Sequence, residues 1–391
     1  MDRMRVTMLT LSLCLFSAVT QAQDRLFARI YGCEAAGNIA NAMGDVTEGK
    51  SWRQIEERWG LVETLLPQDK TERRRPQRFG PEWVYRAHHR PPGMTEDGFE
   101  RHRLLTSAIL KKGGRINIED LARTWLEDID PAKFGYLLGP QDQVIYNLLK
   151  SGLPAWEVGR YADWPGFIGT SKMMAPVGMV NACRPDEAAR DALELGRLKD
   201  VQGRPGNFAL EVAAAIAAGT AEALRPKATV DGVIAVALAV LPEEARKEVE
   251  RGLEWARKAR DWKELRPLFE KAYEGKPISN AVEVLSGGLA CFYLSRGRPR
   301  QAIVYTVNLG RDTDCKGYVA GSLAGAMAGI EALPKEWVET VEKQVLTDPY
   351  TVSRRTARQA AEGIYKACLA EMRKQKSAVR EMEALLGQAR P

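Results

Sequence analysis

The chain has 391 residues, of which 45% are hydrophobic and 28% are charged, and its formal net charge is +6. This is the composition of an ordinary globular protein, which excludes a low-complexity or disordered chain. Basic and acidic residues are interleaved along the sequence, so the charge gives no nucleic-acid signature, and we expect no nucleic-acid partner.

The first 22 residues have the three parts of a secretory signal peptide. A basic start, MDRMR, precedes the apolar run VTMLTLSLCLFSAV, and small residues end the segment at Ala22. The run is too short to span a bilayer comfortably. The sequence therefore predicts export to the periplasm or the extracellular space after cleavage near Ala22, with no membrane attachment afterwards.

From residue 23 onward the apolar spacing is that of helices. Apolar residues recur every three or four positions, and no run alternates apolar and polar residues. The segments with this spacing are 51–66, 98–114, 118–128, 185–198, 208–224 and 230–260, and 352–388 is predicted to form one or two further helices. We therefore predict one all-α domain over 23–391, a large helical bundle with additional C-terminal helices over about 350–391.

The segment LGRDTDCKGYVAGSLAGAMAGI (309–330) places two carboxylates, Asp312 and Asp314, before a helix poor in side chains. Glycine recurs at every fourth position, which is one face of a helix. Each glycine costs a helix roughly 1 kcal/mol relative to alanine, so a glycine face requires a compensating reason. We expect another backbone to lie close against the four glycines, which are Gly317, Gly321, Gly325 and Gly329.

Carboxylates are the main candidates for chemistry, because the chain has only three histidines and lacks HExxH, P-loop and GxGxxG motifs. Thr95, Glu96 and Asp97 form one acidic cluster, and Asp312 and Asp314 form the other. Such oxygen ligands suit Mg²⁺ or Mn²⁺. The alternative is that Thr95 or Asp97, and Asp312 or Asp314, only cap helices.

Four segments, in this order, resemble the ADP-ribosylglycohydrolase family. VNLGRDTDCKGYVAGSLAGAMAGIEALPKEW (307–337) is similar to the family's C-terminal signature, and GCEAAGNIANAMGDVTEG (32–49) to its N-terminal helix. PGMTEDG (92–98) is similar to its Thr-Asp-Asp-Thr metal motif, and GFIGTSKMMAPVGMV (166–180) to its central glycine-rich loop. The resemblance implies an orthogonal all-α bundle with two Mg²⁺ or Mn²⁺ ions.

The resemblance also implies hydrolysis of an N- or O-glycosidic bond at C1 of an ADP-ribose unit, linked to a protein or a small molecule. Asp97 or Glu48 would be the catalytic base, since a carboxylate can accept a proton from attacking water. The implied metal ligands are Thr95, Glu96, Asp97, Asp312, Asp314 and Cys315, and the implied substrate-binding residues are Asn41, Gly169, Thr170, Ser171 and Lys172.

The sequence departs from the family pattern at the metal motifs. The family has Asp where this chain has Glu96, Thr where it has Gly98, and Thr or Ser where it has Cys315. A neutral thiol is a poor ligand for Mg²⁺, so Cys315 would weaken one of the two sites. Lys172, in the central loop, would either meet a phosphate or cover the surface.

These departures leave three functions open. The first is an ADP-ribosylglycohydrolase, the second is an exported hydrolase of another glycoside or nucleoside that uses the same metals, and the third is a non-catalytic family member. Five cysteines follow the signal segment, an odd number that allows one or two disulfides whose pairing cannot be deduced. Cys291 and Cys368 lie on apolar helix faces and are predicted to be core residues.

Overall fold

The computed structural model describes residues 25–388 apart from 78–79, 163, 165 and 204–205. The predicted signal peptide lies outside the described residues. In chain order the helices are α1 (25–44), α2 (Trp52–Trp59), α3 (Asp97–Lys112), α4 (Ile118–Asp128), α5 (Pro140–Lys150), α6 (Ala155–Ala162), α7 (Ala175–Val180), α8 (Pro185–Gly196), α9 (Ala209–Ala223), α10 (Val230–Ala239), α11 (Glu243–Lys258), α12 (Leu265–Ala272), α13 (Ala281–Leu294), α14 (Pro299–Val307), α15 (Thr313–Ala328), α16 (Lys335–Thr347) and α17 (Ala357–Gln388).

Three helices, α9, α13 and α15, occupy the centre of the bundle. α9 packs against α7, α8 and α10, and α13 packs between α11 and α15. All three are buried along almost their whole length, because apolar or small residues occur on every face and allow neighbours on all sides. The predicted all-α class is confirmed, and one hydrophobic cluster extends from Ile30 in α1 to Ala367 in α17.

Four short strands between α2 and α3 were not predicted. β1 (Gln68–Lys70) pairs antiparallel with β4 (His88–Arg90), and β2 (Arg73–Gln77) pairs antiparallel with β3 (Gly80–Tyr85). β2 reads RRRPQ and has no apolar side chain to bury, so the alternation that identifies a half-buried strand is absent.

Two predicted helices are shorter than their apolar spacing suggested. α2 ends at Trp59 because Gly60 adopts φ +69°, so the predicted helix over 51–66 stops about halfway. The spacing over 230–260 is divided between α10 and α11, and Pro242 caps the start of α11. Proline has no N–H to continue a helix, which explains the break.

The C-terminal segment forms one helix, α17, whose first half packs against α3 and α7. Ile364 and Cys368 are buried there, whereas Met372 is 55% exposed. Among the described residues, no helix combines the length and apolarity needed to cross a bilayer.

The cysteines that the structure describes are all free, so neither of the one or two disulfides that the sequence allowed is present among them. Cys291 and Cys368 are buried in the core, as predicted. Cys183 is only partly buried, which makes it the most accessible of these thiols.

Candidate metal centre

The first turn of α15 buries two carboxylates. Asp312 is the N-cap residue, and its Oδ1 accepts a hydrogen bond of 3.3 Å from the N–H of Cys315. Asp312 and Asp314 are 0% and 1% exposed, yet Asp312 Oδ2 and Asp314 Oδ1 have no hydrogen-bond partner among the described residues. Capping therefore explains one oxygen of Asp312 and leaves buried acceptors that a cation would satisfy.

The glycine face of α15 lies directly against α1, as predicted. A Cβ at Gly325 would be 2.6 Å from the carbonyl carbon of Gly32 and 2.8 Å from Ala36 Cβ. At the other end, a Cβ at Gly44 would be 2.6 Å from Asp314 N. Only glycine permits this approach, which places the end of α1 beside the carboxylates of α15.

The turn after α1 adds two more carboxylates. Oxygens of Asp45, Glu48 and Glu96 lie within 4.8 Å of one another. Lys70 Nζ donates to Asp45 Oδ1 at 2.5 Å. Burial and the neighbouring Glu96 raise the pKa of Glu48 to about 7, with Asp312 and Asp45 adding to the effect. Asp45 was not predicted, although it directly follows the close-packed Gly44.

The start of α3 supplies Glu96, which caps the helix by accepting the N–H of Gly98 at 3.0 Å. The alternative that Thr95 or Asp97 caps this helix is therefore wrong. Thr95 instead accepts a hydrogen bond of 3.0 Å from Arg103. The side chain of Asp97 is 48% exposed and lies at the surface of the cluster.

Asn41 joins the two acidic groups. Its Oδ1 accepts the N–H of Glu96 at 2.8 Å, and its Nδ2 donates to Glu96 Oε1 at 2.5 Å and to Asp314 Oδ2 at 3.4 Å. Asn41 therefore orients both carboxylates. Cys315 is also close, because its Sγ lies 3.5 Å from Asp314 Oδ2.

Lys172 neither covers the surface nor points to an open phosphate site. It is 2% exposed, and its Nζ donates to Glu96 Oε1 and Asp314 Oδ2. Burial lowers the pKa of Lys172, but Asp314 and Glu96 outweigh that effect and raise it, so the side chain is an ammonium. In place of either expected role, the Lys172 ammonium forms ion pairs with Glu96 at the start of α3 and with Asp314 in α15.

The hydroxyls of the central loop are also engaged inside the protein. Thr170 Oγ1 donates to Asp200, and Ser171 Oγ donates to the carbonyl of Ala209 at 2.8 Å. Gly169 has space beside it, because the nearest atom to an added Cβ would be Gln141 Oε1 at 3.7 Å. Of these three residues, Gly169 keeps the room that a ligand would need.

A surface cleft of about 650 Å³ is lined by residues that are neighbours in sequence of the acidic residues of this centre. Gly49, which directly follows Glu48, and Arg311, which directly precedes Asp312, both line the cleft. Arg311 adopts φ +64°, and its guanidinium is paired with Glu283 at 2.8 Å. The remaining charged residues of the lining are Lys50, Arg53, Glu270, Lys271 and Glu274.

These donors fit one divalent ion rather than two. Ligand atoms of Asp312, Asp314 and Cys315 lie within 4.8 Å of one another, and the unpartnered oxygens belong to this group. Asp45, Glu48 and Glu96 form a second group with ligand atoms within 4.8 Å of one another. In that group Asp45 Oδ1 already accepts from the Lys70 ammonium, and Glu96 Oε1 accepts from the Lys172 ammonium, which also contacts Asp314 Oδ2. The implied pair of ions therefore does not match the residues present.

Comparison with known proteins agrees with this fold. A family model described as ADP-ribosylglycohydrolase matches residues 22–375. A solved structure titled "ADP-ribosylglycohydrolase-related protein complex" is similar over 88% of this chain and 99% of its own, with 20% identity and a TM-score of 0.60. No curated protein matches the chain.

Proposed function

The chain belongs to the ADP-ribosylglycohydrolase family, and we propose that it hydrolyses the glycosidic bond at C1 of an ADP-ribose unit with a divalent ion. The convergence of carboxylates from three distant segments carries the proposal. Glu48, Glu96 and Asp312 are far apart in sequence, yet Glu96 and Asp312 both lie close enough to Glu48 to raise its pKa. Asp312 Oδ2 and Asp314 Oδ1 are buried and have no partner among the described residues. A purely structural core has little reason to retain such a group.

Asp312 and Asp314 would hold a Mg²⁺ or Mn²⁺ ion through their unpartnered oxygens. When bound, the ion would orient ribose hydroxyls and acidify a water molecule. Glu48 is suited to accept the proton of the attacking water, because its pKa of about 7 lies near neutral pH. Asp97 is the second candidate base, since it is half exposed at the surface of the cluster.

The test is release of ADP-ribose from ADP-ribosyl-arginine by the purified protein, with Mn²⁺ or Mg²⁺ and with EDTA. We expect metal-dependent turnover, and a loss of at least about 100-fold in Asp312→Asn, because ligand loss removes the ion. Glu243→Gln, at an exposed acid of α11, is the control and should retain activity. Undiminished turnover in EDTA or in Asp312→Asn would refute the metal assignment.

A second candidate function is hydrolysis of a different glycoside or nucleoside at the same centre. The observation that favours it is the engagement of Thr170, Ser171 and Lys172 in internal contacts, which leaves few groups for a diphosphate. Metal-dependent release of reducing sugar from a glycoside panel, without release of ADP-ribose, would select this function.

Export is also proposed. It is supported by the form of residues 1–22 and by the start of the family match at residue 22. Expression with the native N-terminus should give an exported protein that begins at Gln23. A cytosolic protein that retains the segment would contradict export.

A further inference from the structure

Lys172 lies where the two acidic groups of the candidate centre face each other. Its ammonium contacts Glu96 Oε1 on α3 and Asp314 Oδ2 on α15, and the side chain is 2% exposed. A divalent ion that bridged these two oxygens would need the space that Nζ occupies. Because two cations so close together in a buried site repel strongly, the lysine and the ion exclude each other.

The space for Lys172 comes from Gly98. A Cβ added at Gly98 would be 2.5 Å from Lys172 Cε, so any larger residue there would displace the lysine chain. Position 98 is where the related motif has threonine. The buried position of Lys172 therefore depends on glycine at position 98.

The other departures from the metal motifs adjoin the same ammonium. Glu96 is longer by one methylene than aspartate and contacts Nζ directly. Cys315 Sγ lies 3.5 Å from Asp314 Oδ2, the oxygen that Lys172 also contacts. Three altered positions thus surround one buried lysine, which is unexpected if they changed independently.

The opposite side of Asp314 differs. Asp314 Oδ1 and Asp312 Oδ2 are buried and have no hydrogen-bond partner in the part of the chain that the structure describes, and Lys172 contacts neither of them. This side retains the acceptors that one hard cation requires.

We propose that the Lys172 ammonium permanently replaces one of the two divalent ions of the family's centre, so that this chain binds at most one ion, at Asp312 and Asp314. This inference rests on the proposed function in one respect, which is that Asp312 and Asp314 bind one divalent ion. Lys172 is accordingly a positioning residue, which holds α3 and α15 together by the charge that an ion would otherwise supply.

The experiment counts ions rather than turnover. Mn²⁺ is titrated into the purified protein by calorimetry, and the loaded protein is examined by electron paramagnetic resonance. We expect no more than one Mn²⁺ per chain and a spectrum without coupling between two ions. Two ions per wild-type chain, or a coupled spectrum, would overturn the inference without any variant.

Two variants then test the lysine itself. Lys172→Ala, which removes the ammonium and opens its space, should bind one more Mn²⁺ than the wild type. Lys172→Arg keeps the charge and should keep the wild-type count. An unchanged count in folded Lys172→Ala contradicts the inference.

The outcomes separate this inference from the proposed function. If the wild type binds no ion and Lys172→Ala binds one, metal-dependent hydrolysis fails and the replacement by Lys172 stands. If the wild type binds two ions and releases ADP-ribose, the proposed function stands and the replacement fails.

Discussion

Substitution of Gly325 by alanine tests whether the contact between α1 and α15 holds the bundle together. The new Cβ would lie closest to the carbonyl oxygen of Gly32, 2.6 Å from the carbonyl carbon of Gly32 and 2.8 Å from Ala36 Cβ. Ordinary contacts begin near 3.4 Å and the oxygen is nearer than the carbon, so the two backbones would have to separate by more than about 0.8 Å. Forcing an extra methyl group into a packed core typically costs about 1–3 kcal/mol and occasionally more.

Alanine offsets part of this cost, because it favours a helix over glycine by roughly 1 kcal/mol. Two of the three nearest atoms belong to the Gly32 backbone and the third to the short side chain of Ala36, so we expect the upper part of the range and a net loss of about 1–2 kcal/mol. Unfolding entropy is about 2.1 cal/mol/K per residue, which converts this loss into a Tm decrease of roughly 1–3 °C for a chain of this length.

Gly219→Ala is the matched control. Gly219 is also a buried glycine inside a helix, α9, but the nearest atom to its Cβ is the flexible end of Leu323, at 3.3 Å. Thermal unfolding followed by circular dichroism should show Gly219→Ala unchanged or slightly stabilised. If Gly325→Ala is as stable as Gly219→Ala, the close approach does not constrain this interface.

Three further outcomes are expected. Asp142→Asn should lower the free energy of unfolding by about 3–5 kcal/mol in denaturant titration, because the buried Arg101 and Lys199 would lose their shared carboxylate. Burial raises the pKa of Asp142, but Arg101 and Lys199 outweigh burial and lower it. The ionised carboxylate therefore stabilises the fold above the ordinary pKa of aspartate, and this stability is lost as the pH falls through the lowered pKa. We therefore expect the Tm of Asp142→Asn to depend less on pH in acid than the Tm of the wild type. Glu48 should affect stability in the opposite direction, because burial and Glu96 raise its pKa from 4.5 to about 7. Metal-free protein in EDTA should therefore lose stability as the pH rises from 4.5 through 7. The same dependence of Tm on pH in Glu48→Gln would contradict this. Ellman's reagent should react first with Cys183 in the native protein and with the other thiols only in denaturant, and a fast phase that survives Cys183→Ser would refute that order.

The sequence was sufficient for features that depend on local spacing. The glycine face of α15 predicted a close backbone, and Gly32 and Ala36 of α1 lie there. The carboxylates Asp312 and Asp314 were placed correctly at the start of that helix. Periodicity and small-residue patterns report how one element packs, so these predictions needed no knowledge of the partner.

Features that depend on distant pairs were missed. Nothing around Lys172 in sequence indicates that its ammonium is buried between two carboxylates, since Glu96 and Asp314 are far from it along the chain. The only signal was Gly98, a missing side chain in an acidic motif. The β2–β3 hairpin was missed for a different reason, because its arginines bury no apolar face.

The hydrogen bonds that close the centre join opposite ends of the chain. Asn41 contacts Asp314, and Thr47 Oγ1 contacts Thr313 Oγ1 at 2.9 Å, across separations of 273 and 266 residues. Such long loops must close before their contacts contribute, which slows folding. A nascent chain whose α15 has not yet been synthesised therefore contains Glu48 and Glu96 but lacks Asp314, which Lys172 joins to Glu96 in the complete protein. We therefore expect the centre to form late in folding, and a chain truncated before residue 312 to lack Asp312, Asp314 and the contact of Asp314 with Lys172.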